Sequence, residues 1–122
     1  MKCILRSSAS KVAYIGFFSN QQQLRPVASG NWGCGVFGGN KELKSLIQII
    51  AAARTRRGLI YCTFHDKSFE TSLVEQYEKL IEMGATIGEV YRALTSFHEQ
   101  LERKPKLSVF QHVSNCLAAF RA

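Results

Sequence analysis

The sequence predicts an α/β fold, with strands and a glycine-rich loop in the first half and helices in the second. Three observations carry that expectation. Lys11–Phe18 and Leu59–Phe64 are short runs rich in β-branched and aromatic residues, and Val27-Ala28-Ser29 offers a shorter strand between them. Residues 41–54 repeat Leu43, Leu46, Ile47 and Ile50 at three- and four-residue spacing, which is one apolar stripe of a helix. After Phe64 only helical patterns follow. Strand, loop, helix, strand is a βαβ unit, and the near-continuous apolar run Leu59–Phe64 fits a parallel strand covered on both faces.

The elements follow in order. The first 41 residues contain no acid, and Lys2, Arg6 and Lys11 with Ser7, Ser8 and Ser10 have the composition of a transit peptide. The strand pattern of Val12–Phe18 argues instead for an irregular start to a domain, over residues 1–10. A polar loop, 19–26, holds three glutamines. The helix over 41–54 is extended by Ala51–Ala53. Arg54, Arg56 and Arg57 complement its dipole, and Gly58 is its expected stop. A helix over 69–83 ends at Gly84. Thr86-Ile-Gly-Glu89 has capping-box spacing and opens another, to about residue 103, where Lys104-Pro105 breaks it. Ser108 with Gln111 caps a last helix on which Val109, Val113, Cys116 and Phe120 line one face. With 122 residues, one core is expected: sheet and loop at 11–64, a helical part at 65–122.

Gly30-Asn-Trp-Gly-Cys-Gly-Val-Phe-Gly-Gly39 is the stretch that speaks of function. Five glycines in ten residues suit neither a helix interior nor an ordinary strand, while Trp32 and Phe37 are too large and apolar for a linker. Such a loop lets backbone approach a ligand between aromatic walls. Because it feeds a helix N-terminus, where N–H groups and the dipole favour negative charge, it is an anion site. The net charge of +7 agrees, because residues 1–60 hold nine Lys or Arg against one acid, Glu42, and residues 61–122 hold seven against eight. A solvated basic face accounts for charge alone more simply. Together with the loop, it points to a phosphate-bearing, polyanionic ligand attracted without sequence reading.

Other chemistries fit poorly. A Walker loop needs Gly-Lys-Ser/Thr, and here Gly39 precedes Asn40-Lys41-Glu42. Gly33, Gly35 and Gly38 formally meet Gly-x-Gly-x-x-Gly, but Thr55, Arg56 and Arg57 stand where a ribose-binding acid belongs. Cys3, Cys34, Cys62 and Cys116 lack metal-ligand spacing and suit a reducing compartment. No apolar run approaches the roughly 20 residues of a membrane span. Cys34, between two glycines, has no adjacent base and reads as a packing residue. Asp66, the sole aspartate, reads as a helix cap. His65 reads as a passive loop residue, and neither His98 nor His112 has an evident role. Phe37 and Phe64 are either core residues or aromatics that hold a sugar or base.

The glycine-rich run, followed by Leu43-Lys44, Gln48, Ala51-Ala52-Ala53 and Tyr61-Cys-Thr-Phe64, resembles the C-terminal half of the catalytic domain of the poly(ADP-ribose) glycohydrolase family. The resemblance begins near Lys11 and weakens toward the end, with Val90-Tyr91 and the last helix also in place. It implies a partial macrodomain-like three-layer α/β/α sheet with C-terminal helices, and hydrolysis of ribose–ribose glycosidic bonds of poly(ADP-ribose). It implies that Gly33, Cys34 and Gly35 embrace the diphosphate, that Phe37 meets the ribose beside the scissile bond, and that Asn31 and Phe64 hold adenine. The implied partners are poly(ADP-ribose), ADP-ribose or proteins carrying the polymer, in the nucleus or cytoplasm, with no cofactor, metal, membrane or sequence-specific nucleic acid.

The departures shape the expectation. The family's catalytic signature, three glycines and then Gln-Glu-Glu, belongs upstream of this loop, as does a tyrosine that stacks on adenine. No adjacent carboxylates occur here. Thr63-Phe64-His65-Asp66 stands where the family has Thr-Phe-Gly-Asp, and a positive φ at His65 would strain the turn. No catalytic residue is therefore assigned, and the isolated chain is expected to be inactive. A non-catalytic ADP-ribose binder and an inactive remnant are the alternatives.

Overall fold

Two parallel strands and the helix between them form the first described unit. β1 (Val27–Gly30) pairs with β2 (Leu59–Cys62) in the register Val27–Leu59, Ala28–Ile60, Ser29–Tyr61 and Gly30–Cys62. α1 (Lys41–Arg54) makes the crossover. The computed structural model describes residues 25–31, 40–101, 103 and 106–122. The expected strand Lys11–Phe18 and the loop from Trp32 to Gly39 lie outside these. The chain divides into two units, Met1–His65 and Asp66–Ala122. The βαβ unit stands as expected, although β2 ends at Cys62 rather than Phe64.

Alternation along β2 departs from a strand covered on both faces. Leu59 and Tyr61 are half-buried, whereas Ile60 and Cys62 are exposed. Side chains of successive residues point to opposite faces. Ser29 is paired with Tyr61 and reaches Gln48 of α1, so the covered face is the one toward that helix.

α1 forms between two explicit caps. Asn40 Oδ1 accepts from the Leu43 N–H at 3.0 Å. At the other end, Arg56 N–H donates to Ala53 O and Arg57 N–H to Ala52 O, with Arg56 at φ 59°. That is a Schellman turn whose left-handed position is an arginine. Gly58, the expected stop, instead accepts at its carbonyl from Val27 N–H at 2.8 Å and so starts the strand pairing. The buried face includes Leu46, Ile47 and Ile50, as expected; Leu43 is only half-buried. Two polar residues are fully buried with them, Ser45 and Gln48. Ser45 is satisfied by Glu42 O at 2.9 Å.

The second unit is helical: α2 (Lys67–Glu82), α3 (Ile87–Leu101) and α4 (Val109–Phe120). Asp66 caps α2 through Phe69 N–H at 3.1 Å. Gly84, at φ 63°, ends it through bonds from Gly84 N–H to Ile81 O and from Ala85 N–H to Leu80 O. Val90, Ala93, Leu94 and Phe97 make the buried stripe of α3, facing α4. On α4 the buried residues are Val109, Phe110, His112, Val113 and Leu117. The expected face through Cys116 and Phe120 is thus rotated. Cys116 is half-buried, and Phe120 carries the Arg92 guanidinium 4.3 Å from its ring centroid.

The capping box of α3 is closed in both directions. Thr86 N–H donates to Glu89 Oε1 at 3.1 Å, and Glu89 N–H donates to Thr86 Oγ1 at 3.2 Å. Arg121 grips the same carboxylate, Nη1 to Oε2 at 2.5 Å and Nη2 to Oε1 at 3.1 Å. Hydrogen bonds from the Arg121 guanidinium first, and from Thr86 second, hold the Glu89 pKa below the ordinary carboxylate value. A lowered folded-state pKa gives stability that is present above the unfolded pKa and lost as pH falls through the folded one. Thermal midpoints of wild type and Glu89→Gln are therefore expected to differ at about pH 7 and to converge toward about pH 3. A constant gap across that range would count against this linkage.

Candidate functional site

Parallel strands with a shared register end at the same edge, and in open α/β sheets that edge is where ligands bind. β1 delivers Gly30-Asn31 there, and β2 delivers Thr63-Phe64-His65. Three contacts tie the two exits together. Tyr61 OH donates to Asn31 Oδ1 at 2.8 Å. Asn31 Nδ2 donates to the Thr63 carbonyl at 3.3 Å. Gly30 sits so close to β2 that an added Cβ would lie 2.8 Å from the Cys62 carbonyl oxygen and 2.8 Å from Phe64 Cε2. A glycine is needed here because of the close approach.

These bonds fix the Asn31 amide without exhausting it. A carboxamide has two donor hydrogens and two acceptor lone pairs, and each bond uses one. Beside it, Phe64 is 76% exposed although its ring edge lies against Gly30. The arrangement offers an amide edge and an open aromatic face together, which is what a planar heterocycle takes.

The backbone that presents Phe64 is strained. Phe64 lies at φ 52° and His65 at φ 69°, consecutive left-handed residues with side chains. Such a conformation costs about 1–2 kcal/mol for an ordinary L-residue. Replacing His65 with glycine is expected to raise stability by about 0.5–1 kcal/mol, net of the entropy glycine adds to the unfolded chain. A urea-denaturation midpoint that falls or stays put would contradict it.

Gln48, from α1, holds the end of β1 from behind. Its Oε1 accepts from the Ser29 hydroxyl, and its Nε2 donates to the Gly30 carbonyl at 3.0 Å. Apolar periodicity gives no warning of this buried amide. The amino end of α1, expected as part of an anion site, already carries an Asn40 side-chain acceptor and Glu42 in its first turn. Lys41 and Lys44 flank that turn. Among the described residues, no group of three His, Cys, Asp or Glu could hold a metal, and no helix is long and apolar enough to cross a membrane.

A family model described as "Poly (ADP-ribose) glycohydrolase (PARG), Macro domain fold" matches residues 1–71. The chain belongs to the poly(ADP-ribose) glycohydrolase family. It is 31% identical over 114 residues to "Poly(ADP-ribose) glycohydrolase 1" of Caenorhabditis elegans, a match covering 89% of this chain and 14% of the relative. It is 46% identical over 71 residues to "Poly(ADP-ribose) glycohydrolase 2" of Caenorhabditis elegans, covering 57% of this chain and 14% of the relative. It is 41% identical over 76 residues to "Poly(ADP-ribose) glycohydrolase 1" of Arabidopsis thaliana, covering 61% of this chain and 14% of the relative. The chain spans 14% of the length of each of these relatives.

Of the residues singled out by resemblance to poly(ADP-ribose) glycohydrolases, Asn31 and Phe64 come to the same edge. Gly33, Cys34, Gly35 and Phe37 lie outside the described residues. The Thr63-Phe64-His65-Asp66 departure falls where φ is positive, so this chain places a histidine in a conformation that favours glycine. Tyr61 and Gln48 enter as positioning residues. Both stand in the stretches that carry the family resemblance, which is the only sequence signal that could have found them.

Proposed function

We propose that the chain contributes the adenine- and diphosphate-holding part of a poly(ADP-ribose) glycohydrolase catalytic domain, within a three-layer α/β/α sheet. The observation that carries this is the coupling of Asn31, Thr63 and Phe64 at the carboxyl ends of parallel strands. In this reading Asn31 hydrogen-bonds the adenine edge and Phe64 covers its face. Amides of the Gly33-Cys34-Gly35 segment take the diphosphate, and Phe37 meets the neighbouring ribose. The excess of basic residues in the first half draws in the polyanion. An intracellular setting, nuclear or cytoplasmic, is part of the same reading.

Cleavage of a glycosidic bond needs positioned carboxyl groups. The chain has no adjacent acids, and Glu42 lies in the first turn of α1. The isolated chain therefore binds ADP-ribose and does not hydrolyse poly(ADP-ribose). Calorimetric titration with ADP-ribose tests the first half, and release of ADP-ribose from the polymer tests the second. Heat of binding with no release is expected; robust release would overturn the assignment of roles.

Phe64→Ala removes the exposed ring from the edge. Stacking on one base is worth about 1–3 kcal/mol, so the Kd for ADP-ribose is expected to rise about 5- to 150-fold. Ribose 5-phosphate, which lacks the base, should bind wild type and Phe64→Ala equally. Equal weakening of both ligands would show that the ring supports the fold and not the adenine.

A further inference from the structure

The second unit holds a cluster of nucleophile-type side chains that the site above does not use. Ser96 on α3 and His112 and Cys116 on α4 converge. His112 Nε2 lies 2.8 Å from Ser96 Oγ and 3.3 Å from Cys116 Sγ, and Ser96 Oγ is 3.6 Å from Cys116 Sγ. His112 and Cys116 are one helical turn apart, hence stacked on one face. The imidazole is buried and is braced by the Phe97 ring, 5.7 Å away between centroids. The cluster lies beyond residue 71, where the family match ends.

Ser96 Oγ donates to the Ala93 carbonyl at 2.9 Å or towards His112 Nε2 at 2.8 Å, according to the tautomer of the ring. With Nδ1 carrying the proton, the Nε2 lone pair faces both Ser96 Oγ and Cys116 Sγ, and the thiol is a proton source for it. Once Nε2 is protonated it donates to the sulfur and to Ser96 Oγ, whose own proton then goes to the Ala93 carbonyl.

We infer that Cys116 is a base-assisted thiol, a site of mixed-disulfide formation with low-molecular-weight disulfides, with His112 as its base and Ser96 as the group that positions the base. In the step, the Cys116 proton passes to His112 Nε2 and the sulfur lone pair attacks one sulfur of the disulfide. The disulfide bond breaks, and its second sulfur departs with the electron pair and takes up a proton. Cys116 is oxidised to a mixed disulfide, and the departing half is reduced to a thiol.

Oxidised glutathione is the probe, applied to the full chain at neutral pH, with the adduct located by peptide mass mapping. Folding slows an ordinary half-buried thiol, because access falls. An assisted one goes the other way. Cys116 is expected to react about tenfold faster in the native chain than in urea, where His112 no longer faces it. A native rate equal to or below the urea rate overturns the proposal, and this comparison needs no variant. His112→Gln, if circular dichroism shows the native helix content, should slow Cys116 about tenfold while leaving exposed Cys62 unchanged. An unaltered Cys116 rate in that folded variant also overturns it.

Discussion

Leu117→Ala is expected to lower the stability of the Asp66–Ala122 unit by about 2–5 kcal/mol, the range for truncating a closed-in leucine. Leu117 has no exposed surface, and Val113 and Val109, one and two turns before it on α4, have none either. That row faces α3, whose Ala93 is equally closed off and whose Val90 and Phe97 are nearly so. Side chains there are braced by further contacts, such as Phe69 stacked on Phe110 at 6.2 Å. Neighbours held in this way do not collapse into the vacated space, so the cavity term adds to the lost transfer energy. The check is the urea midpoint of the helical circular-dichroism signal. Ala119→Ser, at an exposed position of the same helix, should stay within about 0.5 kcal/mol of wild type. If the two variants melt alike, the packing described for α4 is wrong.

Much of this unit was legible in the sequence because its ends are local chemistry. Asp66, the Thr86–Glu89 pair, Ser108 and Gly84 act within a few residues of themselves, so spacing alone reveals them. The crossover helix was legible from its apolar stripe, of which Leu46, Ile47 and Ile50 are buried. What escaped were features set by contacts distant in sequence. The face of α4 is rotated from Cys116 toward Leu117 because α3 decides which residues are covered. Arg56 takes the left-handed turn although Gly58 is two residues away, because the carbonyl of Gly58 is committed to Val27 in the strand pairing. His112 had no sequence partner, since Ser96 is sixteen residues off on another helix.

At the carboxyl ends of the strands the division is similar. The family resemblance singled out Asn31 and Phe64, and the parallel register brings both there. Strain at His65 was expected on the condition that φ is positive there, and φ 69° meets that condition. The proposed diphosphate role of Gly33 to Phe37 rests on the resemblance and on the physics of glycine-rich backbone.

Gln48→Leu is expected to destabilise the Met1–His65 unit by about 2–4 kcal/mol and to weaken ADP-ribose binding as well. Leucine fills similar space, so the cost comes from polarity. The substitution leaves the Ser29 hydroxyl and the Gly30 carbonyl without the partner that each has now. Both bonds are part-buried, and an orphaned buried group costs about 1–3 kcal/mol. Removing both ends of a hydrogen bond is cheaper than removing one, so Ser29→Ala added to Gln48→Leu should recover about 1 kcal/mol. Recovery in the double variant separates a hydrogen-bonding role from mere loss of fit, in which the two changes would simply add. Binding should respond because Gly30 and Asn31 are consecutive. An anchor lost at the Gly30 carbonyl loosens the amide that Tyr61 and Thr63 hold in place. Wild-type affinity in a folded Gln48→Leu chain would mean that the edge keeps its geometry without the helix behind it.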